Sequence, residues 1–173
     1  VSSSHTSTNR SGCCLNGLAS KGRWQLALAV LLGYVERGVE WNMRYTTSVL
    51  NACARGESWQ CAMALVAVAF RADADTDAIC YNAAISSCEK SAVWQRAVML
   101  LGPMNVAMLE PDPISYSGTI SACEKDNAWH QAFNLFASMS VAGLEPDTII
   151  CNATISASEK SVQWQRALSL LTM

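Results

Sequence analysis

An all-α solenoid of about five stacked two-helix repeats is predicted by three observations on this chain of 173 residues. Tryptophan falls at Trp24, Trp59, Trp94, Trp129 and Trp164, a constant spacing of 35 residues, and Trp41 is the only other one. An alanine stands three residues after each: Ala27, Ala62, Ala97, Ala132 and Ala167. Between these marks the apolar residues recur with a helical period, and no window alternates with period two, which leaves no place for a sheet. A rare, bulky residue held to one register along the whole chain marks an array of like units, not one globular core.

The units follow in order. Residues 1–42 form a degenerate first repeat, because Ser11, Gly12, Cys13 and Cys14 stand where later units carry helix formers. Its lead is rich in Ser and Thr, carries Arg10, Lys21 and Arg23, and has no acidic residue before Glu36. That composition fits the remnant of an organelle-targeting region, and it fits a frayed terminal repeat equally. Three complete repeats occupy 43–77, 78–112 and 113–147, and a truncated fourth occupies 148–173. The start at Val1 and the end at Met173, inside a second helix, read as a piece of a longer protein.

Within 78–112, Tyr81, Ile85 and Cys88 lie at i, i+4 and i+7 on a first helix running roughly from Ile79 to Lys90. After a break at Ser91 to Val93, Trp94, Ala97, Leu101 and Met104 mark one face of a second helix. The next unit repeats the pattern with Tyr116, Ile120 and Cys123, then Trp129, Ala132, Phe136 and Met139. Pro111 and Pro146 stop a helix, and Asp112 and Asp147 stand where the N-cap of the next belongs.

A lone hairpin of this size cannot bury its own apolar faces, so neighbours must stack. The recurring alanine lets two helix backbones approach closely. Trp59, Trp94, Trp129 and Trp164 are expected to be buried between second helices and their neighbours.

Composition excludes several classes. The apolar runs Leu26 to Val35 and Cys61 to Phe70 are far shorter than the ~20 residues that span a bilayer. Eight cysteines suggest a disulfide or zinc framework by count alone, but Cys53, Cys88 and Cys123 share one register on the apolar face of the first helix. Stacked helices lie about 8–10 Å apart, too far for a disulfide between equivalent positions. The only histidines are His5 and His130, so no metal site and no cofactor is expected. Free thiols imply a reducing compartment. There is no glycine-rich phosphate loop and no nucleophile with a matching base, which argues against an enzyme. Glu89, Glu124 and Glu159 recur once per repeat and are expected on solvated helix surfaces.

The polar face of the first helix remains. Asn82, Ser86 and Lys90 lie at i, i+4 and i+8, and the other units place Thr47, Asn51 and Arg55, then Ser117, Ser121 and Lys125, then Asn152, Ser156 and Lys160 on the same stripe. One variable hydrogen-bonding residue and one cation per repeat suit a polymer with a regular charged backbone and variable bases.

The 35-residue period, the two-helix unit, the string Tyr81-Asn82-Ala83-Ala84-Ile85-Ser86 and the closing Leu109-Glu110-Pro111-Asp112 together resemble the pentatricopeptide repeat (PPR) proteins of the plain class. The resemblance implies a right-handed α-solenoid that binds single-stranded RNA in organellar RNA processing, stability or translation, in a chloroplast or mitochondrion. It also implies two base-reading residues per repeat, here Thr47 with Asp77, Asn82 with Asp112, and Ser117 with Asp147, while Asn152 has no partner in this sequence. By the family's pairing rules these imply G, U and G. Ile79, Ile114 and Ile149 match the residues that wedge between bases, and Arg44 takes that place in the repeat at 43–77. Gly12 and Asn42 form no recognisable pair. Arg55, Lys90, Lys125 and Lys160 are the candidate phosphate contacts.

Each of these residues has a second reading. Asp112 and Asp147 would cap helices with no RNA present, and lysines at helix C-termini favour the macrodipole in any case. A net charge of −2 and only 15% charged residues, against roughly 25% in ordinary domains, leave a second function open: a non-catalytic scaffold, an accessory subunit held in a larger organellar assembly by protein contacts on its outer helices.

Overall fold

A computed structural model describes residues 23–36, 43–71, 77–106 and 109–160. The described residues form eight α-helices and no strand: α1 (Trp24–Glu36), α2 (Met43–Arg55), α3 (Trp59–Arg71), α4 (Ala78–Lys90), α5 (Trp94–Val106), α6 (Pro113–Lys125), α7 (Trp129–Val141) and α8 (Thr148–Lys160). The even-numbered helices are the first helices of their repeats, and the odd-numbered ones are the second. Trp41, Trp164, Ala167, the Ser-rich lead with Gly12, Cys13 and Cys14, and Asn42 lie outside the described residues.

The chain divides into two compact units, Val1–Ser87 and Cys88–Met173, with the boundary inside α4. In the first unit α2 packs on both α1 and α3. In the second, α6 packs on α5, α7 and α8, and α7 also packs on α8.

The alanine register is the centre of this packing. Ala27, Ala62, Ala97 and Ala132 are fully buried, one per second helix. With only a methyl group at that point, neighbouring backbones come close enough for larger residues on either side to fill the space. Leu65, Leu100 and Leu135 do so three residues further on, followed by Ala69, Met104 and Met139. Cys53, Cys88 and Cys123 are completely buried on the first helices, as small core hydrophobes. Cys53, Cys61, Cys80, Cys88, Cys123 and Cys151 are free thiols.

The tryptophans differ from expectation. Trp24, Trp59, Trp94 and Trp129 are only half-buried. Each is the first residue of its helix. Side chains on a helix lean towards its N-terminus, so an indole at the first position hangs over the hairpin end, where water reaches it. Trp129 stacks on exposed His130, with ring centroids 3.4 Å apart, and meets Phe133 edge-on at 6.4 Å.

The hairpin turn repeats as faithfully as the core. Glu57, Ala92 and Asn127 all adopt the left-handed conformation, with φ of 53°, 52° and 56°. The N–H groups of Ser58, Val93 and Ala128 reach back to the carbonyls of Cys53, Cys88 and Cys123 at 3.0, 3.0 and 2.8 Å. This six-to-one bond is the Schellman closure, which satisfies a helix-end carbonyl and turns the chain sharply. Gly143, at φ 73°, ends α7 the same way, with Leu144 N–H bonded to Met139 O at 3.1 Å.

Candidate nucleic-acid interface

The starts of α4, α6 and α8 are each built by an aspartate. Asp77, Asp112 and Asp147 each accept, through Oδ1, the backbone N–H of the residue three further on: Cys80 at 2.9 Å, Ser115 at 2.8 Å and Ile150 at 2.8 Å. These are N-caps, which satisfy one of the otherwise orphaned N–H groups of a helix start. A carboxylate offers about four lone-pair sites, so a cap made through one oxygen does not exhaust the group. Capping and base reading are therefore compatible in one residue, and the cap fixes where the carboxylate stands.

Next to each cap stands an isoleucine in water. Ile79, Ile114 and Ile149 are the second residues of α4, α6 and α8 and are 62%, 67% and 62% exposed. Exposing an aliphatic side chain of this size forgoes roughly 1.5–3 kcal/mol of burial, and here it recurs at one register. Three residues on, at helical i+3 spacing and hence on the same side, lie Asn82, Ser117 and Asn152. Asn82 and Ser117 are half-buried and Asn152 is exposed. In the repeat at 43–77 the corresponding residue is half-buried Thr47.

In the first unit Thr47 and Asp77 each contact Cys80. Thr47 Oγ1 lies 3.1 Å from Cys80 Sγ, and Cys80 N–H is the donor to Asp77. Burial pushes the Cys80 thiol up to about 11, with the Asp77 carboxylate adding to the rise and the Thr47 contact opposing it. Asn82 lies in the first unit and Asp112 in the second. Ser115 Oγ donates to Asp112 Oδ1 at 2.8 Å, beside Met104 Sδ at 3.7 Å. Ser117 and Asp147 share the second unit, at the starts of α6 and α8 respectively.

The cations are less uniform. Arg55 and Lys90 are exposed at the ends of α2 and α4. Lys125, 42% exposed, donates to Glu89 Oε1 at 2.9 Å. Lys160 is the last residue of α8, and its side chain is outside the described set. Ser156 Oγ donates to Glu124 Oε1 at 2.8 Å, tying α8 to α6. Glu89 and Glu124 are thus half-buried partners of groups one repeat on, which corrects their reading as merely solvated. Their signal was present in the numbering: a carboxylate whose partner lies about one period away meets it when like helices stack. Cys80 and Ser115 also escaped the sequence reading, although a polar residue three after an N-cap aspartate is the one place whose side chain can reach back to the cap.

Among the described residues no helix is long and apolar enough to cross a membrane.

No family model matches the sequence, and comparison with curated proteins finds no match. Solved structures do match. The crystal structure of the maize pentatricopeptide repeat protein PPR10 superposes with a TM-score of 0.75 at 22% identity, over 94% of this chain and 23% of that one. The fold is the pentatricopeptide repeat fold. PPR10 in complex with an 18-nt psaJ RNA element gives 0.71 at 24% identity over 91% of this chain and 23% of that one. The PPR domain of Arabidopsis thaliana protein-only RNase P 1, in complex with tRNA, gives 0.73 at 13% identity over 91% of this chain and 84% of that domain. The chain thus spans about a quarter of the length of the maize protein, 23%. In the repeat frame the capping aspartates stand between one repeat and the first helix of the next.

Proposed function

We propose that this chain is a sequence-selective, single-stranded RNA-binding segment of an organellar PPR protein, acting in RNA processing, stability or translation and without catalytic chemistry of its own. The observation that carries it is the triplet of exposed isoleucines, each beside a capped aspartate and a short polar side chain at the same register. Apolar wedges between bases, with hydrogen-bonding groups aimed at base edges, are the means by which proteins read unstacked single strands. The RNA complexes of the two similar PPR proteins support the reading. The organelle assignment rests on the resemblance.

The test is a titration of the full chain with short single strands carrying a G-U-G core or a scrambled core. Preference for the core is expected, with Lys90→Ala weakening all sequences alike and lowering the salt slope by about 0.7. Lys125 is already neutralised by Glu89, so Lys125→Ala should change the slope less. Glu89→Gln, which releases that lysine, should steepen it. Equal affinity for core and scrambled strands, or no binding at low salt, sinks the proposal.

A second reading has its own observation. The second helices of the first unit expose Leu26 at 51%, Leu32 at 53% and Val68 at 48%. Recovery of a stoichiometric protein partner without RNA would favour the scaffold.

A further inference from the structure

Two thiols meet across one hairpin turn. Cys53, in the last turn of α2, is completely buried, and Cys61, in the first turn of α3, is half-buried. The two helices pack on each other, and the turn between them is closed at this point by the bond from Ser58 N–H to the Cys53 carbonyl at 3.0 Å. Both thiols are free, and a hydrogen bond joins their side chains. The same two registers face each other in the next hairpin, where the charge of Arg96 acts on the Cys88 thiol. The place of Cys61 is taken by Arg96 after Cys88 and by Gln131 after Cys123, so of these three hairpins only the one at 43–77 carries two thiols.

We propose that Cys53 and Cys61 are an oxidisable dithiol, which a small-molecule disulfide of the glutathione class converts into an intrachain disulfide joining α2 to α3. The separation that rules out a bond between equivalent cysteines of stacked repeats does not apply to them, because they occupy different registers of one hairpin. The half-buried Cys61 is the thiol that a solute reaches. Once deprotonated it attacks one sulfur of the small disulfide, forming a mixed disulfide and releasing a small thiolate that takes up the proton. Cys53, deprotonated in turn, attacks the Cys61 sulfur, and the second small thiol leaves. Two protein thiols are thereby oxidised to one disulfide while one small disulfide is reduced to two thiols. Burial raises both protein thiols, Cys53 to about 12, and the contact with Cys53 opposes the rise at Cys61. Thiolate is therefore scarce at neutral pH and the exchange is slow, on the order of hours. Such a site follows a sustained redox poise and ignores a brief pulse. In the oxidised chain α2, which carries Thr47 and Arg55, is bonded to α3.

The experiment equilibrates the full chain with glutathione and glutathione disulfide over a range of ratios, quenches with acid, alkylates the remaining thiols in denaturant and maps the peptides by mass spectrometry. Cys53 and Cys61 should lose their thiols together and appear as one cross-linked peptide, while Cys88 and Cys123 stay alkylated throughout. Cys53→Ala should stop at the mixed disulfide, with glutathione on Cys61, and Cys61→Ser should leave Cys53 a free thiol. A disulfide that stabilises a fold is favoured by that fold to the same extent, so the equilibrium constant for closing the bond should fall about tenfold or more in denaturing urea. Equal closure in urea would trace the bond to short sequence separation alone and overturn the inference. Wild-type chain whose two thiols both stay alkylatable in excess glutathione disulfide overturns it as well, as does wild-type chain that holds glutathione on Cys61 beside a free Cys53. None of these outcomes depends on whether the chain binds RNA.

Discussion

Ala62 in α3 and Ala132 in α7 stand at one register, two repeats apart, and both are fully buried, yet the faces behind them differ. Ala64 and Val68 are exposed on α3, whereas the same places on α7 carry Asn134 and Ser138, also exposed. The Ser138 hydroxyl bonds back to the Asn134 carbonyl at 2.6 Å. The period thus constrains what faces inward and leaves the outer face free to drift. At these two places the repeat at 43–77 is apolar and the repeat at 113–147 polar, although Val141 near the end of α7 is 89% exposed.

If the inner frame is common to both repeats, Ala62→Leu and Ala132→Leu should destabilise alike. Each forces three heavy atoms into a site with no exposed surface, at a cost of about 1–3 kcal/mol. Urea or thermal melts of the two variants would measure it. A harmless Ala132→Leu beside a damaging Ala62→Leu would break the equivalence of the two cores.

A smaller effect should follow from pH. Burial, then the neighbouring Cys61, pushes the Cys53 thiol from 9.0 to about 12, and burial, then the nearby Asp126, does the same for Cys123. In the unfolded chain both thiols ionise near their ordinary value, so above it the unfolded state loses protons that the folded state keeps. The stabilisation is complete below pH 9 and is lost as pH rises towards 12. The melting temperature should be flat on the neutral side and fall through this window, with Cys53→Ala and Cys123→Ala each flattening the fall. A shift of the neutral melt on adding reductant would contradict the free thiols in both repeats.

The frame was legible because it is redundant: the Trp and Ala registers and the Glu-Lys block state one period several times over. The cysteine and cap assignments followed from it, since one register implies one environment. The half-buried tryptophans were not legible, because recurrence reports that a residue matters without reporting which end of a helix it occupies. Lys125 was read as a phosphate contact, and Ser156 only as a member of the same polar stripe. Their pairing with Glu89 and Glu124 depends on how far one first helix lies from the next, a distance no periodicity contains. The Thr47 and Cys80 contact was hidden for the same reason, with the further obstacle that Cys80, Ser115 and Ile150 share no chemistry at their common register.

The smallest effect is the sharpest comparison, because the hairpin turns hold backbone geometry constant while the residue changes. Glu57, Ala92 and Asn127 sit within a few degrees of one another in the left-handed region, each inside a Schellman closure. An ordinary L-residue there costs about 1–2 kcal/mol, and asparagine is among the few side chains that visit this region routinely. Glycine removes that strain but costs roughly 0.5–1 kcal/mol through the greater freedom of the unfolded chain. For Glu57→Gly and Ala92→Gly the first quantity is the larger, so both should stabilise by about 0.5–1 kcal/mol. For Asn127→Gly there is little strain to relieve, so the change should be neutral or slightly destabilising. Urea melts of the three variants would resolve the difference in sign. An equal gain at all three would mean that Asn127 is as strained as Glu57 and that the two hairpins differ in sequence alone, whereas a loss at Glu57 would mean that its side chain contributes contacts worth more than the strain it tolerates.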